Sequence, residues 1–97
     1  MNHDSVPLVI FETGEEAVKH GPGGAVWEDD ESHLFVMLPG TGRHLDAIAV
    51  TRDQQRAQAE SRVWLLTGER SKPTLHPSLH VPGCWHGWLR DGQLISC

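Results

Sequence analysis

Both cysteines and three of the seven histidines fall in the last twenty-five residues, Pro73 to Cys97, and their side chains offer thiolate and imidazole donors. Zinc takes such donors in a tetrahedron, about 2.0–2.3 Å from the ion. The spacing brings several of them together. Asp91-Gly92 is a strong two-residue hairpin turn, and it predicts that Arg90 faces Gln93, Trp88 faces Ile95 and His86 faces Cys97. Cys84, two residues before His86, is expected on the same face. For a fourth ligand, His80 lies across the Val81-Pro-Gly83 turn, with His76 and the Cys97 carboxylate in reserve. Cys84, His86, Cys97 and His80 are therefore the candidate metal ligands, and the expected role is a structural zinc. A hydrolytic centre would need an open coordination position and a nearby carboxylate base, and this segment offers only Asp91, at the far end of the hairpin.

The plainer reading of the same residues makes the cysteines small hydrophobes and His86 a strand histidine stacked on Trp88. The Cys-x-His spacing, followed by a cysteine eleven residues after the histidine, matches no common zinc-finger pattern. A disulfide is not expected, because Cys84 and Cys97 are diagonal neighbours roughly 7–8 Å apart, against the roughly 3.5–4.5 Å between Cβ atoms that a bridge needs.

Other chemistry is sparse in the sequence. His44 and Asp46 share a strand face and read as a solvated pair, with no nucleophile beside them. Ser78, in Pro77-Ser78-Leu79, lacks the glycine flanks of a nucleophile elbow. Gly21-Pro-Gly-Gly24 has no lysine at phosphate-loop spacing and reads as a turn. Trp85 and Trp88 must point to opposite faces of one strand, so both cannot enter one core, and they are the candidate interaction residues.

These side chains must be positioned by short elements. Apolar runs punctuated by Gly, Pro and Asp recur about every ten residues, the pattern of a mainly-β domain. Strands are predicted at Leu8–Phe11, Ala25–Glu28, His33–Leu38, Leu45–Val50, Arg62–Leu66, Leu75–Val81, Trp85–Arg90 and Gln93–Ser96. Leu38 to Arg43 forms a turn. Thr51–Glu60 has helix formers without an apolar stripe and predicts a short exposed helix or a loop, and Glu15–Lys19 one helical turn before Gly21-Pro-Gly-Gly24. The expected architecture is a single domain over 1–97, a small antiparallel sandwich or barrel with a C-terminal hairpin. Its core draws on Val26, Trp27, Leu34, Val36, Leu38, Ile48, Val50, Val63, Trp64, Leu66, Leu89 and Leu94.

The chain of 97 residues carries 8 Lys and Arg against 13 Asp and Glu, a formal charge of −5 that opposes binding to nucleic-acid backbones and anionic membranes. Lys72 and Arg90 against Asp91 leave residues 71–97 at +1, so residues 1–70 carry −6, much of it in Glu28-Asp29-Asp30-Glu31. No apolar run reaches the length of a bilayer span, and the N-terminus reads as no export signal. A cytoplasmic location in a host cell is expected.

Two resemblances bear on function. Cys84-Trp-His-Gly-Trp88 looks like part of the second ligand box of Rieske iron–sulfur proteins, but with Cys-x-His in place of Cys-x-x-His and no second Cys/His pair. Val63-Trp-Leu-Leu66, Pro73-Thr-Leu-x-Pro-Ser-Leu79, Trp85-His-Gly-Trp-Leu-x-Asp-Gly92 and the closing cysteine resemble a family of small uncharacterised phage and prophage proteins. Some relatives of that family sit beside bacterial ubiquitin-like conjugation genes. The resemblance covers about the last third of the chain and implies phage origin, a mainly-β fold and a zinc site, with no established activity.

The leading expectation is a non-enzymatic phage accessory protein that binds a phage or host protein. Exposed strand edges leave a homodimer open. One alternative is a small metal-dependent hydrolase or ubiquitin-like pathway accessory using His76, His80 and His86. Another is an acidic inhibitor of host nucleic-acid machinery, using Glu28–Glu31.

Overall fold

The computed structural model describes residues 5–40 and 44–97. Ten strands and two short helices follow in the order β1 (Ser5–Pro7), β2 (Val9–Phe11), α1 (Gly14–His20), β3 (Gly24–Trp27), β4 (His33–Val36), β5 (Asp46–Thr51), α2 (Gln54–Ala59), β6 (Trp64–Glu69), β7 (Lys72–His76), β8 (Leu79–Val81), β9 (Trp85–Arg90) and β10 (Gln93–Ser96). They form a four-stranded sheet, β1-β10-β9-β8, and a six-stranded sheet, β2-β3-β4-β5-β6-β7. The mainly-β expectation holds, and so does the C-terminal hairpin. Part of the expected turn from Leu38 to Arg43 lies outside the described residues.

Not every strand pair is antiparallel. β2 pairs parallel with β3, and β5 with β6. Parallel neighbours need a crossover between them, and the two helices lie in those two connections. α1 is capped by Thr13, whose hydroxyl oxygen accepts from the Glu16 N–H, and it ends at Gly21 with φ 89°. Its Ala17 is wholly buried. A Cβ on Gly24 would collide with the Ala17 carbonyl, so glycine lets the helix lie directly on β3. α2 is capped by Asp53, which accepts from the N–H groups of Gln55 and Arg56, and buries no residue.

The core lies between the sheets. Leu34, Val36, Leu66, Leu75, Leu89 and Leu94 are almost fully buried, joined by Trp27, Ile48, Val50, Leu79 and Trp85. Val26, Val63 and Trp64, expected in the core, are half-buried instead. Trp27 does pack inside, and its Nε1 donates to the Arg70 carbonyl at 2.9 Å.

The tip of the C-terminal hairpin is the seam between the sheets. Asp91 and Gly92 both take positive φ, 47° and 71°, as the tight turn requires. Gly92 N–H donates to the Pro73 carbonyl, Asp91 N–H to Thr74 Oγ1, and Leu8 N–H to the Gly92 carbonyl, at 2.8 to 2.9 Å. The turn is thus clamped against β7 and the chain leading into β2. Among the described residues, no helix is long and apolar enough to cross a membrane.

Candidate functional site

The pairing read from the sequence for the last hairpin is present. Arg90 faces Gln93 and Trp88 faces Ile95, and the Cys97 N–H donates to the His86 carbonyl at 2.9 Å. Along β9 the odd-numbered Trp85, Gly87 and Leu89 are buried, while His86 and Arg90 are exposed and Trp88 is half-buried. Period-two alternation therefore turns His86, Trp88 and Arg90 to the outer face. Gly87 has a specific packing role, since a Cβ there would strike both the Ile95 carbonyl and the Trp85 ring. With the ring folded across that glycine, Trp85 Nε1 reaches Ser96 Oγ at 2.9 Å.

A second hairpin, turning at Pro82-Gly83, sets β8 against β9 with Val81 opposite Trp85, His80 opposite His86 and Leu79 opposite Gly87. The predicted strand Leu75–Val81 is therefore two strands. Pro77, which has no N–H for a ladder, and Ser78 separate β7 in one sheet from β8 in the other. The hairpin juxtaposes the His80 and His86 rings, with centroids 4.9 Å apart. The outer face continues through Trp88, 6.3 Å from His86, to the Arg90 guanidinium, 5.2 Å over the Trp88 ring.

Ser78 enters the same group. Continuing the β8–β9 register places it diagonally from His86, and its Oγ lies 3.2 Å from His86 Nε2. That is hydrogen-bond reach between a hydroxyl and an imidazole, the relation by which a general base takes a proton from a nucleophile. Ser78 is half-buried and His86 is exposed. The other side of Ser78 is fixed by Trp64 at the start of β6, whose Nε1 donates to the Ser78 carbonyl at 3.2 Å. Trp64 thus has a polar role at the serine beyond packing.

The remaining sequence candidates lie as follows. Cys84 sits in the turn before β9, where strand alternation does not set its direction, and its N–H donates to the Val81 carbonyl. Cys84 and Cys97 are both exposed free thiols. Among the described residues, no three or more His, Cys, Asp or Glu side chains are grouped as a metal ion would require. His76 lies apart on β7, with its Nε2 3.4 Å from Thr67 Oγ1. Trp85 is buried, so of the two candidate interaction tryptophans only Trp88 leaves area at the surface. In the acidic strip, Glu31 takes the left-handed φ of 62° and pairs with Arg52 at 2.8 Å and Arg70 at 3.6 Å. The Asp30 carboxyl is held below its ordinary pKa by hydrogen bonds from Ser32, first its side chain and then its backbone N–H.

The sequence around Ser78 has no glycine-flanked elbow to mark it as a nucleophile. The signal that finds it is Pro82-Gly83: taken as a hairpin turn, it pairs His80 with His86 and brings Ser78 diagonally within reach.

The family model for the bacterial ubiquitination-like system serine protease (BubE) matches residues 22–97, and the chain belongs to that family. The match includes β3 to β10, and with them Trp64, Ser78 and His86. No curated protein and no solved structure gives a match.

Proposed function

We propose that this member of the family is a serine hydrolase of a bacterial ubiquitination-like system, with Ser78 as nucleophile and His86 as general base. The observation that carries the reading is the 3.2 Å contact between Ser78 Oγ and His86 Nε2, in a family whose description names a serine protease.

The chemistry follows from that contact. His86 Nε2 takes the hydroxyl proton as Ser78 Oγ attacks the carbonyl carbon of an amide, and the new O–C bond forms. The C–N bond then breaks, and the imidazolium returns its proton to the leaving nitrogen. Water next attacks the acyl-serine, giving a proton to His86; the Ser78 Oγ–C bond then breaks, the imidazolium returns that proton to Ser78 Oγ, and the carboxylic acid leaves. Trp64 holds the Ser78 carbonyl and so orients the nucleophile without touching the reacting atoms. His80, whose ring lies tilted against that of His86 at 4.9 Å, restricts the orientation of the base.

The substrate in this reading is a protein of the conjugation pathway. The leading expectation of a non-enzymatic binding protein rested on the sparse catalytic residues of the sequence together with Trp85 and Trp88, and the Ser78–His86 contact supports a hydrolase in its place. Purified protein tests the reading by hydrolysis of peptide and ester substrates, with Ser78→Ala and His86→Ala as controls. Loss of either group lowers kcat by on the order of 10²–10⁴-fold. Full activity in Ser78→Ala would remove the reading.

A further inference from the structure

Two clefts are lined by the sequence neighbours of Ser78. The first, about 260 Å³, is lined by Gln54, Ala57, Gln58, Leu65, His76 and Pro77 and lies on the α2 side. The second, about 170 Å³, is lined among others by Leu38, Ile48, Trp64, Leu79 and Val81, with Asp46 at its wall. Pro77 lines one and Leu79 the other, so the residues on either side of Ser78 in the chain each reach a cleft, while Ser78 itself turns its Oγ to His86. Trp64 and Leu65, consecutive on β6, wall the second and first clefts respectively. The same Trp64 holds the Ser78 carbonyl.

Size decides what these clefts can take. Pockets for whole small molecules run to about 300–1,000 Å³, and each cleft here falls short of that, matching a single side chain. Lining decides the chemistry. Leu65, Pro77 and Ala57 on one side, and Leu38, Ile48, Leu79 and Val81 on the other, reward burial of apolar area. Asp46 Oδ2 is buried and, among the described residues, has no hydrogen-bond partner. A carboxylate side chain brought beside that buried oxygen would lose hydration without gaining a hydrogen-bond donor.

Topology supplies the path. Among the described residues, β8 is the last strand of its sheet and pairs only with β9. An extended peptide can add to such an edge through main-chain hydrogen bonds, with alternate side chains entering pockets. Ser78 immediately precedes that edge strand.

We propose that the two clefts are side-chain subsites that seat apolar residues on either side of the scissile bond of an extended peptide laid along β8. The proposal rests on Ser78 as nucleophile and adds the substrate class: an extended segment with apolar side chains flanking the cut, rather than a folded surface or a charged tail.

The test is cleavage of a library of internally quenched peptides, varied at each position around the cut, by the full chain and four variants. Wild type is expected to prefer Leu or Phe over Ala and over Glu by about tenfold or more at one position on each side, the scale of discrimination that an apolar pocket provides. Ala57→Trp fills the first cleft and Ala47→Trp, from the same wall as Asp46, fills the second. Each is expected to abolish the preference on one side only. Leu65→Ala and Val81→Ala enlarge the clefts and shift the corresponding preference towards larger side chains, so a filling variant that fails to fold does not decide the matter. Flat preferences in wild type, or preferences unchanged in all four variants, overturn the subsites. Failure of the nucleophile reading is seen separately, as peptide cleavage that survives in Ser78→Ala. Wild type that reacts at Ser78 with a fluorophosphonate yet cleaves no peptide also overturns the subsites and leaves the nucleophile standing.

Discussion

Trp64 Nε1 donates to the carbonyl oxygen of Ser78 at 3.2 Å, so β6 of the six-stranded sheet holds the residue just before β8 of the four-stranded one. The site therefore depends on how the two sheets are docked. Trp64→Phe keeps most of the ring and removes the donor. The expected loss is about 1 kcal/mol, roughly fivefold in kcat with KM little changed. Rates of Ser78 labelling by a fluorophosphonate, compared with the melting temperature, check it. Labelling that slows while the melt holds marks a positioning role; a lower melt with normal labelling marks packing alone.

Gly87 is where the outer face depends on the core. Gly87→Ala sets a methyl group against the Ile95 carbonyl and the Trp85 ring. The expected destabilisation is about 1–3 kcal/mol, as for overpacking. Each kcal/mol lowers the melting temperature of a domain this size by about 4–8 °C. Calorimetry of the variant reads it directly. A melt equal to wild type would mean that the Trp85 ring does not lie across this glycine.

The hydrogen bonds from Ser32 lower the Asp30 pKa in the folded chain. A carboxyl depressed on folding adds stability that is full above its unfolded pKa and is lost as pH falls through the folded value. A carboxyl NMR titration is expected to place Asp30 below the ordinary aspartate range, and Ser32→Ala to move it back up. An Asp30 midpoint at the ordinary value would contradict this. Because the group is fully exposed, the effect is local to the β3–β4 turn.

Catalysis by the dyad needs the lone pair of His86 Nε2, which a metal ion on the same nitrogen would occupy. Turnover is therefore expected to survive treatment with a chelator and to slow on addition of stoichiometric Zn²⁺. Elemental analysis beside the assay distinguishes the outcomes. Activity lost with a chelator and restored by zinc would make the metal, not the serine, the centre of the chemistry.

Much of the site's framework was legible before the fold. Asp91-Gly92 specified the register of the last hairpin, because a two-residue turn leaves one pairing sum, and His86 and Cys97 duly face each other. The opposite orientations of Trp85 and Trp88 followed from strand alternation alone. What could not be read had long-range or competing causes. Parallel pairing of β2 with β3 and of β5 with β6 depends on crossovers that place α1 and α2, and local pattern does not distinguish a crossover helix from an exposed loop. Trp64 was legible as a core aromatic and does pack against the core, but its indole N–H to the Ser78 carbonyl joins two sheets and has no local signal. Ser78 itself was hidden because Leu75–Val81 reads as one strand, whereas Pro77 divides it between two sheets.

The most direct test treats the full chain with a biotinylated fluorophosphonate and locates the adduct by peptide mass spectrometry. One adduct on Ser78, absent in Ser78→Ala and slowed at least about a hundredfold in His86→Ala, is the predicted result. Labelling that falls on another residue, or that proceeds at the wild-type rate without the imidazole at 86, would contradict the catalytic pair.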